Sequence, residues 1–172
     1  MATNLHFIKS FNITETVTNF DCDNVFSDAY DIYKIHGVDF HTAGSTSYTN
    51  MRLIDSSGNV ESGNNYSWAY LSVKDDASFG EAKATGNNHW QEFFGNADKA
   101  PEGSGTIGYI YSPYQAQFTF CSWQSFHQQN STERMYKAAG VFELAESMRG
   151  FRIYDSLSGP LTSGQINIYG IK

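Results

Sequence analysis

The stretch SGQINIYGIK, Ser163 to Lys172, reads as a β-strand. Successive side chains of a strand point to opposite faces, so Ile166 and Ile168 share one face, and Gln165, Asn167, Tyr169 and Ile171 the other. The first is a core face. The second begins polar and ends apolar, whereas a face left to water stays polar along its length. Tyr169 and Ile171 are therefore read as interface residues that touch a neighbouring element or subunit, and Gly170 lets that neighbour approach closely.

The same alternation recurs along the chain. LHFIKSFNIT (5–14), YDIYKIHGVDF (30–40), TNMRLIDSSGNVES (49–62), NYSWAYLSVKD (65–75), TIGYIYSPY (106–114) and QAQFTFCSWQSF (115–126) all read as strands or strand-turn units. They are rich in Tyr, Phe, Ile, Val and Thr, and Asn, Asp, Ser and Gly punctuate them. MYKAAGVFEL (135–144) is a further strand or, through its alanines and the following ELAESM, a short helix. GFRIYDS and GQINIYGIK, joined by a loop, read as a closing hairpin, and Met51 and Leu53 feed back toward the 65–75 strand.

Between residues 75 and 105 the pattern lapses into one long connection with a helical turn around 89–94, a functional or interface loop by its length. The expected fold is all-β: a single domain over residues 1–172, with about eight strands in a two-sheet antiparallel, jelly-roll-like β-sandwich.

Of the 172 residues, 16% are aromatic and only 17% charged, and the formal net charge is -7. Nucleic acids and anionic membranes demand concentrated Lys and Arg, so neither is an expected partner. No apolar run reaches the length of a membrane helix, and no leader pattern opens the chain. Cys22 and Cys121 are far apart and read as buried free thiols.

Chemistry-bearing motifs are absent from the sequence. There is no phosphate-cradling glycine loop, no nucleophile elbow and no thiol-hydrolase signature. The five histidines show no metal-ligand spacing. Around Asp21 and Asp23 the acidic run fails as an EF-hand, because Val25 and Phe26 fall at its fifth and sixth positions. A looser calcium site at Asp21 and Asp23 is the one weak metal candidate. The expectation is a protein that is not an enzyme and carries no cofactor.

Aromatic residues remain. Trp90, Phe93 and Phe94 in the long connection, Tyr114 after a turn, and Phe126 with His127 are candidates for binding a ligand or partner. Rings beside Asn and Gln stack on sugars, and otherwise such rings plug the ends of a sandwich or pack on another subunit.

The runs SDAYDIYKIHGVDF, NMRLIDSSGNV, NNYSWAYLSV, GYIYSPYQAQFTFCSWQS and GFRIYDSLSGPLTSGQINIYGIK resemble, in that order, small virion structural proteins of tailed bacteriophages, especially those of marine bacteria and cyanobacteria. The likeness covers roughly Asp28 to Lys172, and its clearest pieces are LIDSSG and the closing GxIxIYGIK. The resemblance implies a jelly-roll protein on the virion surface, made in the host bacterial cytoplasm. Its role would be capsid decoration, as a cement protein, or a place in a tail fibre. It implies contacts with other virion proteins and a homo-oligomer, with a trimer expected, and for the fibre role a host-surface glycan. Residues 1–20 fall outside the likeness and are a candidate attachment segment.

Overall fold

The computed structural model describes residues 4–44, 49–95, 97, 103–129, 132–155 and 159–172. The larger of two antiparallel sheets runs, edge to edge, β1 (Leu5–Ile13), β12 (Leu161–Ile171), β3 (Ile32–Thr42), β8 (Ser104–Tyr111), β9 (Gln117–Gln129), β10 (Thr132–Glu146), β5 (Tyr66–Lys74) and β6 (Phe79–Asn87). The smaller runs β2 (Asn19–Cys22), β11 (Met148–Asp155), β4 (Thr49–Asp55) and β7 (Trp90–Phe94). The core lies between them, so the protein is an all-β sandwich, and no helix occurs among the described residues. Twelve strands are described where the sequence reading expected about eight, divided eight and four between the sheets.

Several local expectations change. Residues 75–105 are not one connection: they contain β6 and β7. Strand β6 escapes notice because its inward positions are Gly80, Ala82 and Ala84, which carry no large apolar signal. The turn expected at 89–94 is β7. Strand β10 runs unbroken through Ala138 and Ala139, which rules out the helix there. The closing pair is not a hairpin, since β11 lies in the small sheet and β12 in the large one. Met51 and Leu53 likewise belong to β4 of the small sheet and do not pair with β5. The two sheets meet there through a side chain instead: the Tyr66 hydroxyl accepts the Leu53 N–H at 2.9 Å and donates to the Glu61 carbonyl at 3.0 Å.

Tyr169 and Ile171 have their neighbour within the chain. Strand β12 is internal, hydrogen-bonded to β1 on one side and β3 on the other. Tyr169 meets the ring of Phe7 edge-on, with centroids 5.6 Å apart, and Ile171 is paired with Leu5 and Ile32. The neighbour is thus the chain's own first strand. On the inner side, a side chain at Gly170 would collide with the ring of Tyr30. Residues 5–13, read as a strand and lying within the candidate attachment segment, are a paired strand of the sheet.

Strand β7 shows how the sheets lock. Three glycines on the inner face of the large sheet, Gly140 on β10, Gly108 on β8 and Gly37 on β3, step obliquely across it. Each receives one ring of β7. An added Cβ would sit 2.7 Å from Trp90 Nε1 at Gly140, 2.6 Å from Phe93 Cζ at Gly108, and 2.7 Å from Phe94 Cδ1 at Gly37. All three rings are fully buried. Adjacent residues such as Phe93 and Phe94 cannot both face inward in a regular strand. A bulge solves this: Glu92 adopts the left-handed backbone (φ 56), and the pairing of β7 with β4 shifts register between Thr49 and Met51.

Gly140→Ala should destabilise the protein by about 1–3 kcal/mol, because the methyl must displace a packed indole. The shift of the urea unfolding midpoint at unchanged slope measures this.

Candidate functional site

The sequence candidates separate into several places. Trp90, Phe93 and Phe94 are core residues, so the expectation of ring faces open to a sugar is corrected. His127 is buried on the inner face of β9, stacked on Tyr136 at 5.7 Å. Its sequence neighbour Phe126 points outward and is 55% exposed. Tyr114 is exposed in the β8–β9 turn. Phe126 lies six residues along β9 from Phe120, whose partner is Tyr111, which sets Tyr114 and Phe126 roughly 20 Å apart. The structure does not gather the expected residues into one pocket.

Asp21 and Asp23 are each paired with an arginine. Arg152 donates from Nε and Nη2 to the two Asp21 carboxylate oxygens at 2.6 and 2.7 Å. Arg149 does the same to Asp23 at 2.8 and 2.5 Å. These are two-pronged pairs in which a guanidinium charge already balances each carboxylate, and the Arg149 guanidinium holds the Asp23 carboxyl below its usual range. Among the described residues no cluster of three metal-ligating side chains occurs. Added calcium, or a chelator, should leave the thermal unfolding midpoint where it is.

The outer face of the large sheet is where the unexplained surface lies. Strands β8, β9, β10, β5 and β6 pair in register, so their outward side chains form rows across the sheet. One row reads Phe126, Met135, Val73, Phe79, and all four are exposed. Phe79 is 81% and Met135 51% exposed. At its β8 end the ring of Phe126 lies over Gly105. Three rows away Tyr111, Phe120 and Val141 form a second apolar band, with Phe118 beside it. Phe120 is 54% exposed.

Between the bands the rows are small or polar except for Leu71, which is exposed. Ser122, Ala139, Ala69 and Lys83 make one, and Gln124, Lys137, Leu71 and Glu81 the other. The small side chains leave an open groove of about 740 Å³ there. The five strands that carry the bands, about 4.8 Å apart and each contributing seven or eight residues, present on the order of 600 Å² of face. The largest apolar patch of an ordinary monomer is several hundred Å².

The signal for this face was in the sequence, on β9. Thr119, Cys121 and Trp123 fill its core side, yet Phe118, Phe120 and Phe126 stand on the other. No strand with a single buried face needs both.

Under the outer face, at the β9–β10 end, lies a buried polar group. Glu92 is 1% exposed, and its Oε2 makes no hydrogen bond among the described residues. Burial pushes its carboxyl up to about 8, opposed by the charge of Arg134 and aided by Asp155. The Glu92 main-chain carbonyl accepts from Trp123 Nε1 at 2.9 Å and from Ser125 Oγ at 3.1 Å, tying β7 to β9. A cavity of about 520 Å³ opens nearby, lined by Phe126, His127, Arg134 and Met135 among others, and Glu92 does not line it. Both thiols, Cys22 and Cys121, are buried, and burial raises them far above their ordinary range, away from the reactive thiolate.

No family model and no curated protein matches the chain. Among solved structures, the SPBc2 prophage-derived protein YomS is similar at a TM-score of 0.25 and 11% identity, over 98% of this chain and 97% of that one. Ail, the attachment invasion locus protein of Yersinia pestis, gives 0.20 and 7%, over 72% and 99%. Infectious bursal disease virus, Gt strain, gives 0.22 and 9%, over 97% and 41%. At such scores these likenesses carry neither a shared fold nor a function, and the functional reading rests on the chain's own surface.

Glu92 makes stability depend on pH with a definite sign. An unfolded Glu titrates near 4.3, and the folded one near 8, so the folded state holds its proton more tightly. That contribution is fully present below about pH 4.3 and is lost as pH rises through about 8. Glu92→Gln should gain on the native protein by on the order of 4 kcal/mol between pH 5 and pH 9, measured by urea unfolding at both. Equal pH profiles would contradict this.

Proposed function

We propose that the chain is a non-enzymatic virion structural protein that decorates a bacteriophage capsid, docking through the outer face of its large sheet. The observation that carries this reading is the exposed pair of apolar bands, Phe126 to Phe79 and Tyr111 to Val141. Roughly 600 Å² of sheet approaches the ~800 Å² that each partner contributes to a standard protein interface. The bands carry Phe, Tyr and Met side chains, the types enriched in interfaces. A small ligand would need an enclosed, converging pocket, whereas this groove is open and broad.

The resemblance to phage virion proteins supplies the setting. A fibre-tip module holding host glycan is the alternative role within it. That reading leaned on Trp90, Phe93 and Phe94, whose burial withdraws them from any sugar. Repeated attachment to a shell asks instead for a rigid domain with one broad sticky face, which the sandwich supplies.

Phe120→Ser combined with Met135→Ser should leave the fold intact, because both side chains are half exposed, and should weaken binding to undecorated capsids by at least about tenfold, given interface anchors of ~1–2 kcal/mol each. Cosedimentation with capsids measures it. Wild-type binding by the double variant would overturn the proposal.

A further inference from the structure

The two edges of the large sheet are built differently. At one edge, the pairing of β1 with β12 is broken by a bulge between Phe7 and Lys9, a device that discourages a further strand from joining. At the other, β6 pairs with β5 in unbroken register from Phe79 to Ala84, opposite Val73 to Trp68. Among the described residues no strand pairs with the far side of β6. A regular edge strand of this kind presents a row of unpaired N–H and C=O groups, which is a template for another strand.

The side chains say which strand. Phe79, Glu81, Lys83 and Thr85 point outward, alternating with Gly80, Ala82 and Ala84 on the inner face. When two β6 strands meet antiparallel about a two-fold axis, faces match only if paired residue numbers sum to an even value. A sum of 162 sets Glu81 against Glu81, and 166 sets Lys83 against Lys83. Only 164, centred on Ala82, sets Glu81 of each copy against Lys83 of the other, twice. Opposite charges directly across a pair of strands attract, and like charges repel.

We propose that this edge joins a second copy of the same chain, β6 to β6, antiparallel and centred on Ala82, so that two eight-stranded sheets become one. The contact is isologous, which closes a dimer. Phe79, the most exposed large apolar side chain described, then lies opposite Thr85 of the second copy. The outer faces of both copies form one continuous surface. This assembly concerns self-association alone, and it stands or falls apart from any role on a capsid.

The test is a pair of charge reversals read by sedimentation velocity on the full chain. Wild-type protein should be a dimer. Glu81→Lys and Lys83→Glu should each weaken self-association by roughly tenfold or more, since two attractive cross-strand pairs become repulsive. Mixed one to one, the two variants should recover a dimer, because every pair across the seam is then again opposite in charge. That recovery also shows that both variants fold. A wild-type monomer or trimer, undiminished dimers of either single variant, or failure of the mixture to dimerise would each overturn the proposal.

Discussion

Everything in this sandwich depends on seating three large rings against three glycines. Trp90, Phe93 and Phe94 are packed so close to Gly140, Gly108 and Gly37 that any side chain there would overlap them. The glycines lie on three strands of the large sheet, while the rings come from one short strand of the small sheet. The contact therefore fixes the angle and offset of the two layers together. Interiors packed to crystal-like density tolerate no slack at such points. The bulge at Glu92 is the means: it turns two consecutive phenylalanines inward and aims a carbonyl at Trp123 and Ser125. The cost is a carboxyl held in the dark, with its proton retained to about pH 8.

Once the four-stranded layer has closed the inner side, nothing among the described residues covers the bands on the outer side of the eight-stranded sheet. A sheet with one face on a core and the other in water alternates apolar and polar residues. Strands β12 and β3 approach that rule with Asn167, Lys34 and His36. Strands β9, β10, β5 and β6 break it in register, so their exceptions align into bands across the sheet. Alignment separates this face from scattered exposed apolar residues, which are ordinary. A flat apolar face and a regular edge strand on the same sheet both call for other protein.

The sequence made the class of fold legible, because period-two alternation in segments such as 165–171 and 117–126 has no helical reading. It also showed that some strands are apolar on both faces, and at β12 the second face meets β1. The division into sheets was not legible. Residues 150–172 look like a hairpin in one dimension, yet β11 and β12 part into different layers. Strand β6 hid behind Gly80, Ala82 and Ala84, of which the two alanines lie beside the large rings of Trp68 and Tyr70 on β5. Trp90, Phe93 and Phe94 were conspicuous in the sequence as functional rings. Their partners are glycines, which give no apolar signal, so the fact that these rings are core could be seen only in three dimensions.

The most direct measurement is hydroxyl-radical footprinting of the protein free and on undecorated capsids. The account predicts that Met135, Phe120 and Phe126 are labelled in the free protein and protected once it is bound, while Trp90, Met51 and Met148 stay unlabelled in both. Labelling of the outer face that is unchanged on assembly, or of Trp90 in the free protein, would contradict it.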